Sequence, residues 1–130
     1  MKLIAHRGAS GTYPENTRAS FRAALQAGAG AVEFDVQRTK DGRLAVIHDT
    51  DLRRLAGRRA KVGKLEFAEL SSLDVGSWFD RRFRGERVPS LEETLDLFPD
   101  HLEVHLEIKQ ARPIYRGIEE DVLKLLRKQK

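Results

Sequence analysis

Two carboxylates, two residues apart in an apolar, β-prone run, constrain this chain more than any other feature. The run is Ala31-Val32-Glu33-Phe34-Asp35-Val36-Gln37. A strand has period two, so Glu33 and Asp35 share one face while Val32, Phe34 and Val36 share the other. The apolar face needs helices packed against it. The acidic face needs positive charge, because like charges about 6–7 Å apart along a strand repel. Carboxylate oxygens suit hard divalent cations such as Mg²⁺, Ca²⁺ or Mn²⁺.

The next apolar run, Leu44-Ala45-Val46-Ile47, follows after a short polar link containing Asp41-Gly42. A parallel crossover takes a dozen or more residues, so the link cannot be one. Asp-Gly is a hairpin turn signal. The expectation is an antiparallel hairpin turning near Lys40–Arg43, which brings His48 roughly opposite Asp35 and Glu33. An ordinary surface hairpin with an acidic solvent face has the same pattern, and the rest of the chain separates the two.

Upstream, Lys2–His6 reads as a short buried strand, followed by the turn His6-Arg7-Gly8-Ala9-Ser10-Gly11. Pro14-Glu15-Asn16-Thr17 opens a helix with Asn16 or Thr17 as N-cap. Phe21, Ala24, Leu25 and Gly28 lie on one face, and Gly28 and Gly30 stop the helix. Strand, helix and strand with tight links make a βαβ unit, so the first two strands are parallel. Residues 50–89 read as an excursion with a short helix in Leu65–Leu73, then Trp78-Phe79, packing its own small apolar cluster. Ser90-Leu91-Glu92-Glu93 is a capping box heading a helix to Phe98. His101–Lys109 alternates cleanly and is a third strand of the same kind. Arg112-Pro113 breaks it, and Ile118–Leu126 forms a last amphipathic helix.

The length of 130 residues suits one domain, 1–130. There is no cysteine, which excludes disulfides and thiolate metal sites. No apolar run reaches the roughly 18–20 residues of a membrane span, and Met1–His6 is too short for the apolar core of a signal peptide. The expected location is the cytoplasm. The net charge is +4, with basic clusters at Arg53, Arg54, Arg58, Arg59, Lys61 and at Arg81, Arg82, Arg84, Arg87. These lack the interleaved aromatics that stack bases. They read as solvated surface, and no nucleic-acid partner is expected.

Parallel α/β folds build their sites at the C-terminal ends of the strands. His6 and Arg7 fall there after strand one, Glu33 and Asp35 late in strand two, and Glu107 and Lys109 late in strand three; His48 joins through the hairpin. Three carboxylates can hold one hard cation. Two histidines can serve as base and acid near neutral pH. Arg7 and Lys109 can hold a phosphate oxygen. Together they describe metal-assisted cleavage of an anionic ester, most simply a phosphodiester.

The motifs His6-Arg7-Gly8, Pro14-Glu15-Asn16-Thr17, Glu33-Phe34-Asp35-Val36, Asp41-Gly42, His48-Asp49 and Glu107-Ile108-Lys109 stand in an order and spacing that resembles the glycerophosphodiester phosphodiesterases. The resemblance spans Leu3 to Lys109, with 50–89 corresponding to that family's insertion. It implies an α/β fold of TIM type, of which this chain holds about the first three βα units plus the insertion. It implies hydrolysis of glycerophosphodiesters to glycerol 3-phosphate and an alcohol, with Glu33, Asp35 and Glu107 binding one Mg²⁺ or Ca²⁺. His6 and His48 would be general base and acid, and Arg7 and Lys109 would contact the phosphate.

Two departures stand out. After His48-Asp49 the family usually carries Arg-Thr-Thr, where this chain has Arg53-Arg54-Leu55. A TIM barrel also takes at least about 200 residues, so the expectation is that a second copy or a missing C-terminal half closes the barrel. The other readings are a phospholipase of phosphatidylinositol-specific or sphingomyelinase D type, and a non-catalytic truncated barrel binding anionic partners.

Overall fold

A computed structural model describes residues 1–111 and 114–129 of the chain. The expected break at Arg112-Pro113 lies outside the described residues. Strand β1 (Ile4–His6) leads through helix α1 (Arg18–Gln26) to β2 (Ala31–Arg38), which turns back into β3 (Leu44–Val46). The excursion contains β4 (Asp51–Leu52), α2 (Arg53–Ala56), β5 (Arg58–Lys61) and α3 (Phe67–Leu70). Helix α4 (Leu91–Asp96), β6 (Glu103–Ile108) and α5 (Ile118–Lys128) follow. Among the described residues, no helix is long and apolar enough to cross a membrane.

Strand β2 is the centre of the sheet. It runs parallel to β1, with Ile4 opposite Ala31 and His6 opposite Glu33. On its other edge it runs parallel to β6 from Ala31/Glu103 to Val36/Ile108. The hairpin is present, with Val36 opposite Val46 and Arg38 opposite Leu44, so β1 and β3 share one edge of β2 in succession. Val32, Phe34 and Val36 pack with Phe21, Leu91, Ile118 and Val122 from α1, α4 and α5. The rings of Phe21, Phe34 and Phe98 meet in tilted and edge-to-face pairs with centroids 5.4–6.0 Å apart. Burying a phenylalanine such as Phe34 is worth about 1.5–3 kcal/mol, so this face is where the sheet is held.

The helix starts follow local chemistry. Thr17, not Asn16, is the N-cap of α1: its hydroxyl accepts from the Ser20 amide while the Ser20 hydroxyl accepts from the Thr17 amide. The Ser90 hydroxyl caps α4 by accepting from the Glu93 amide at 3.1 Å. The Glu93 carboxylate, expected to complete that capping box, instead takes the Arg18 guanidinium.

The excursion packs a second cluster of its own, including Ile47, Leu52, Leu55, Val62, Leu70, Val75 and Val88. Its base is closed where the Val46 amide donates to the Pro89 carbonyl at 3.0 Å. The helix read across Leu65–Leu73 is one turn, α3, and the small antiparallel pair of β4 and β5 was not expected. Asp74 organises the far loop by accepting from the amides of Gly76 and Ser77 and from the Ser77 hydroxyl. Those donors, the Ser77 hydroxyl first, hold its carboxyl down to about 2 from an ordinary 3.8. A depressed carboxylate stabilises the fold above its unfolded value and loses that contribution as pH falls through its folded value. Asp74→Ala should therefore cost about 0.5–2 kcal/mol in denaturant melts at neutral pH, and the difference from wild type should vanish towards pH 2. A constant difference across that range would reject the assignment.

Candidate active site

The face of β2 opposite the core carries Glu33, Asp35 and Gln37. Parallel register sets Glu107 of β6 directly beside Asp35. One oxygen from each of Glu33, Asp35 and Glu107 falls within 4.8 Å of the others. Asp35 is fully buried, Glu33 is partly exposed, and half of the Glu107 side chain is exposed. Burial, then the Asp35 charge beside it, pushes the Glu33 carboxyl above the ordinary carboxylate range. The Lys109 ammonium, 3.1 Å from Glu107 Oε1, holds the Glu107 carboxyl below that range. Lys109 Nζ also lies 3.9 Å from Asp35 Oδ1. His6 Nε2 lies 3.7 Å from Glu33 Oε1.

Asp35 Oδ1 and Glu33 Oε1 are buried without a hydrogen-bond donor. An unsatisfied buried carboxylate oxygen is costly, and two of them facing a third carboxylate are the donor set of a hard divalent cation. The residues fit such an ion, and nothing in the donor set selects Mg²⁺ over Ca²⁺.

The loop after β1 aims two more groups at Asp35. The Arg7 amide donates to the Glu33 carbonyl at 2.8 Å, and the Asn16 amide donates to the Arg7 carbonyl at 3.0 Å. Arg7 and Asn16 both adopt left-handed φ, 57° and 56°. Such a backbone costs roughly 1–2 kcal/mol for an ordinary residue, and strain of this kind gathers at functional sites. Here it turns Asn16 Nδ2 to within 3.1 Å of Asp35 Oδ2 and Arg7 Nε to within 3.3 Å of the same oxygen. Asn16, ambiguous in sequence between cap and site, is thus a partner of Asp35.

Among the described residues His48 makes its side-chain contact with Asp49 rather than with the triad. The Ile47 amide donates to the Asp35 carbonyl at 3.0 Å, so the residue facing Asp35 is Ile47, one earlier than expected. Beyond it the chain leaves the sheet. Gln37, fully buried, sets its course: Nε2 reaches the carbonyls of Ile47, His48 and Asp49 at 2.9–3.1 Å, and Oε1 accepts from the Tyr115 hydroxyl at 2.8 Å. His48 Nδ1 then pairs with Asp49 Oδ1 at 2.9 Å. Asp49 is gripped through both oxygens by Arg54, at 2.9 and 3.0 Å, which holds its carboxyl below the ordinary range. Glu15, His48 and Asp49 also bring ligand-type atoms within 4.8 Å, but Arg54 and Arg7 already supply the positive charge there. Gln37 was legible in principle, as the third member of the period-two row Glu33, Asp35, Gln37.

Residues 6–127 match the Glycerophosphoryl diester phosphodiesterase family. A glycerophosphodiester phosphodiesterase of Caldanaerobacter subterraneus subsp. tengcongensis is 43% identical over 126 residues, covering 96% of this chain and 52% of that protein. The crystal structure of a glycerophosphodiester phosphodiesterase from Agrobacterium tumefaciens superimposes with a TM-score of 0.83 at 39% identity, covering 96% of this chain and 53% of that one. A phosphodiesterase from Oleispira antarctica, solved with the product sn-glycerol-3-phosphate, gives a TM-score of 0.83 at 37% identity, covering 93% and 48%. The chain thus spans about half the length of the curated relatives it matches. Its architecture is α/β, that of the opening βα units of a TIM-type barrel.

Proposed function

The chain belongs to the glycerophosphoryl diester phosphodiesterase family, and on that premise we propose that it carries the acid–base and cation-binding half of a site hydrolysing glycerophosphodiesters to glycerol 3-phosphate and an alcohol. The observation that carries this reading is the convergence of Glu33, Asp35 and Glu107 at the ends of two parallel strands, with His6, Arg7 and Lys109 around them. Glu33, Asp35 and Glu107 would hold one Mg²⁺ or Ca²⁺. When bound, the cation would act as a Lewis acid towards a phosphoryl oxygen.

Arg7 and Lys109 contact the phosphate through donors that already point at the triad. His6, largely exposed beside Glu33, takes the proton of the glycerol 2-hydroxyl as that oxygen attacks phosphorus. His48, its Nδ1 on Asp49, presents Nε2 and returns a proton to the departing alcohol. Water then opens the cyclic phosphate. The separate packing of the excursion supports this reading over a phospholipase of the other barrel types. The inward face of β6, where Glu103, His105 and Glu107 are exposed, is covered in the active form by further barrel strands from a C-terminal half or by a second copy. Glu103 meanwhile pairs with Lys2 and His105.

Titrating Mg²⁺ or Ca²⁺ should raise the melting temperature by mass action, and Glu33→Gln should remove most of that rise. The same substitution should raise the melting temperature of the cation-free protein at neutral pH. The sign follows from linkage: a raised Glu33 means the native state binds the proton longer, so stability falls as pH climbs from the ordinary 4.5 through the folded value. Metal affinity should climb over the same interval, as the proton leaves. An identical metal response in wild type and Glu33→Gln would show the triad to be misassigned.

A further inference from the structure

We propose that Glu15 is a positioning residue that locks the His48–Asp49 pair to the β1 loop, and so to Asp35. The proposal rests on the hydrolase reading above and assigns a role to a residue that neither touches the triad nor caps a helix. The Glu15 side chain is only 8% exposed. Its two oxygens are divided between two guanidinium groups: Oε2 lies 3.1 Å from Arg7 Nη1 and Oε1 lies 2.8 Å from Arg54 Nη1. Arg7 continues to Asp35, and Arg54 continues through its fork to Asp49 and thence to His48 Nδ1. The row from Asp49 to Asp35 therefore alternates in charge at every step.

Glu15 is the one carboxylate in that row placed between two arginines from different parts of the chain. Arg7 comes from the loop after β1, and Arg54 from α2 in the excursion. Take away its charge and the two guanidinium groups repel, and the ion-pair tie between the β1 loop and the excursion is lost. Arg54 is also held over the Trp78 ring at 5.0 Å, so the far loop of the excursion steadies the same guanidinium. A planar fork makes this arrangement specific to arginine, because an ammonium cannot span Asp49 and Glu15 with fixed geometry. His48 lies outside the sheet, so its aim depends on this frame and on the Gln37 grip rather than on strand register.

The test is Glu15→Gln in the full chain, read by ¹⁵N spectra of the histidine rings. Wild-type His48 is expected to keep a proton on Nδ1, donating to Asp49, with Nε2 carrying the second proton in its acid form. In the folded variant its signals should move towards the tautomer mixture of a free imidazole, while those of His6, which has no part in the row, stay put. Under turnover, kcat should fall by about 10–100-fold, the usual effect of losing an outer support, with KM for glycerophosphocholine within about twofold. Arg54→Lys, at a partly exposed position, should produce the same ring shift in smaller measure and decides the matter if Glu15→Gln does not fold. His48 signals unchanged in a folded variant would overturn the proposal. Absence of metal-dependent turnover in wild type whose barrel is closed, by a second copy or by a C-terminal half, would count against the hydrolase reading instead, and the ring spectra would still decide the role of Glu15.

Discussion

Replacing His48 with alanine is expected to lower turnover of glycerophosphocholine by at least about 10²-fold, the scale of a lost general acid or base. His6→Ala should do the same. The two differ in support: His48 is held through Nδ1 by Asp49, whereas His6 faces Glu33 Oε1 at 3.7 Å from a largely exposed position. Binding of glycerol 3-phosphate should survive both substitutions better than turnover does, since Arg7 and Lys109 are untouched. Near-normal turnover in either variant would remove that histidine from the reaction. The assay belongs across a dilution series with molecular size followed in parallel. With the inward face of β6 open, a monomer of these 130 residues should show little activity. A monodisperse monomer turning over at an ordinary rate, about 1–10³ per second, would reject the need for closure.

Gly8→Ala should damage both the fold and the site with a single methyl group. Gly8 has φ +80°, and a Cβ there would sit 2.3 Å from Ser20 Oγ and 2.8 Å from the Ser20 backbone carbon. The left-handed backbone costs about 1 kcal/mol and the overpacking a further 1–3 or so. Relief requires α1 to move away from the loop. That movement would break the Ala9 amide bond to the Ser20 carbonyl and the Ser20 hydroxyl bond to the Arg7 carbonyl. Arg7 and Asn16 would lose their aim at Asp35 along with stability. A denaturant midpoint shift equivalent to about 2–4 kcal/mol is expected, together with weakened metal stabilisation. A midpoint within experimental scatter of wild type would show the contact to be yielding.

The parts of the fold legible in sequence were those with a strong local period or a stereotyped turn. Alternation in Ala31–Gln37 and Leu102–Lys109 marked two strands and their acidic face. Asp41-Gly42 marked the hairpin, and the short glycine-punctuated helix marked the parallel pair. The β4–β5 pair was not legible, because Arg58-Arg59-Ala60-Lys61 has no apolar period and owes its place to the cluster beneath it. Turn chemistry locates a hairpin only to within a residue or two, so it brings His48 near Asp35 and Glu33 without deciding that Ile47 is the residue facing Asp35. The partnership of Asn16 with Asp35 depends on a left-handed backbone that an asparagine tolerates but does not announce. Glu15 and Arg54 were illegible for a further reason: salt partners 39 positions apart leave no pattern in a linear chain.

The parallel order of the sheet decides how a barrel could be closed by symmetry. The strands β1, β2 and β6 all point one way, so the two outer strands offer edges of the same polarity. A twofold axis lying across the strands would set like edges against each other in antiparallel fashion and leave the other two edges open. Only an axis running along the strands sets β6 of one copy beside β1 of the other, twice over, with polarity preserved around the ring. Such a ring would contain two sets of three parallel strands, against the eight of a TIM barrel. Its circumference would be short by a quarter, and the triads of the two copies would face each other across a narrowed lumen. A C-terminal half contributing the other five strands meets no such squeeze, so strand arithmetic favours it over self-association as the completion of this site.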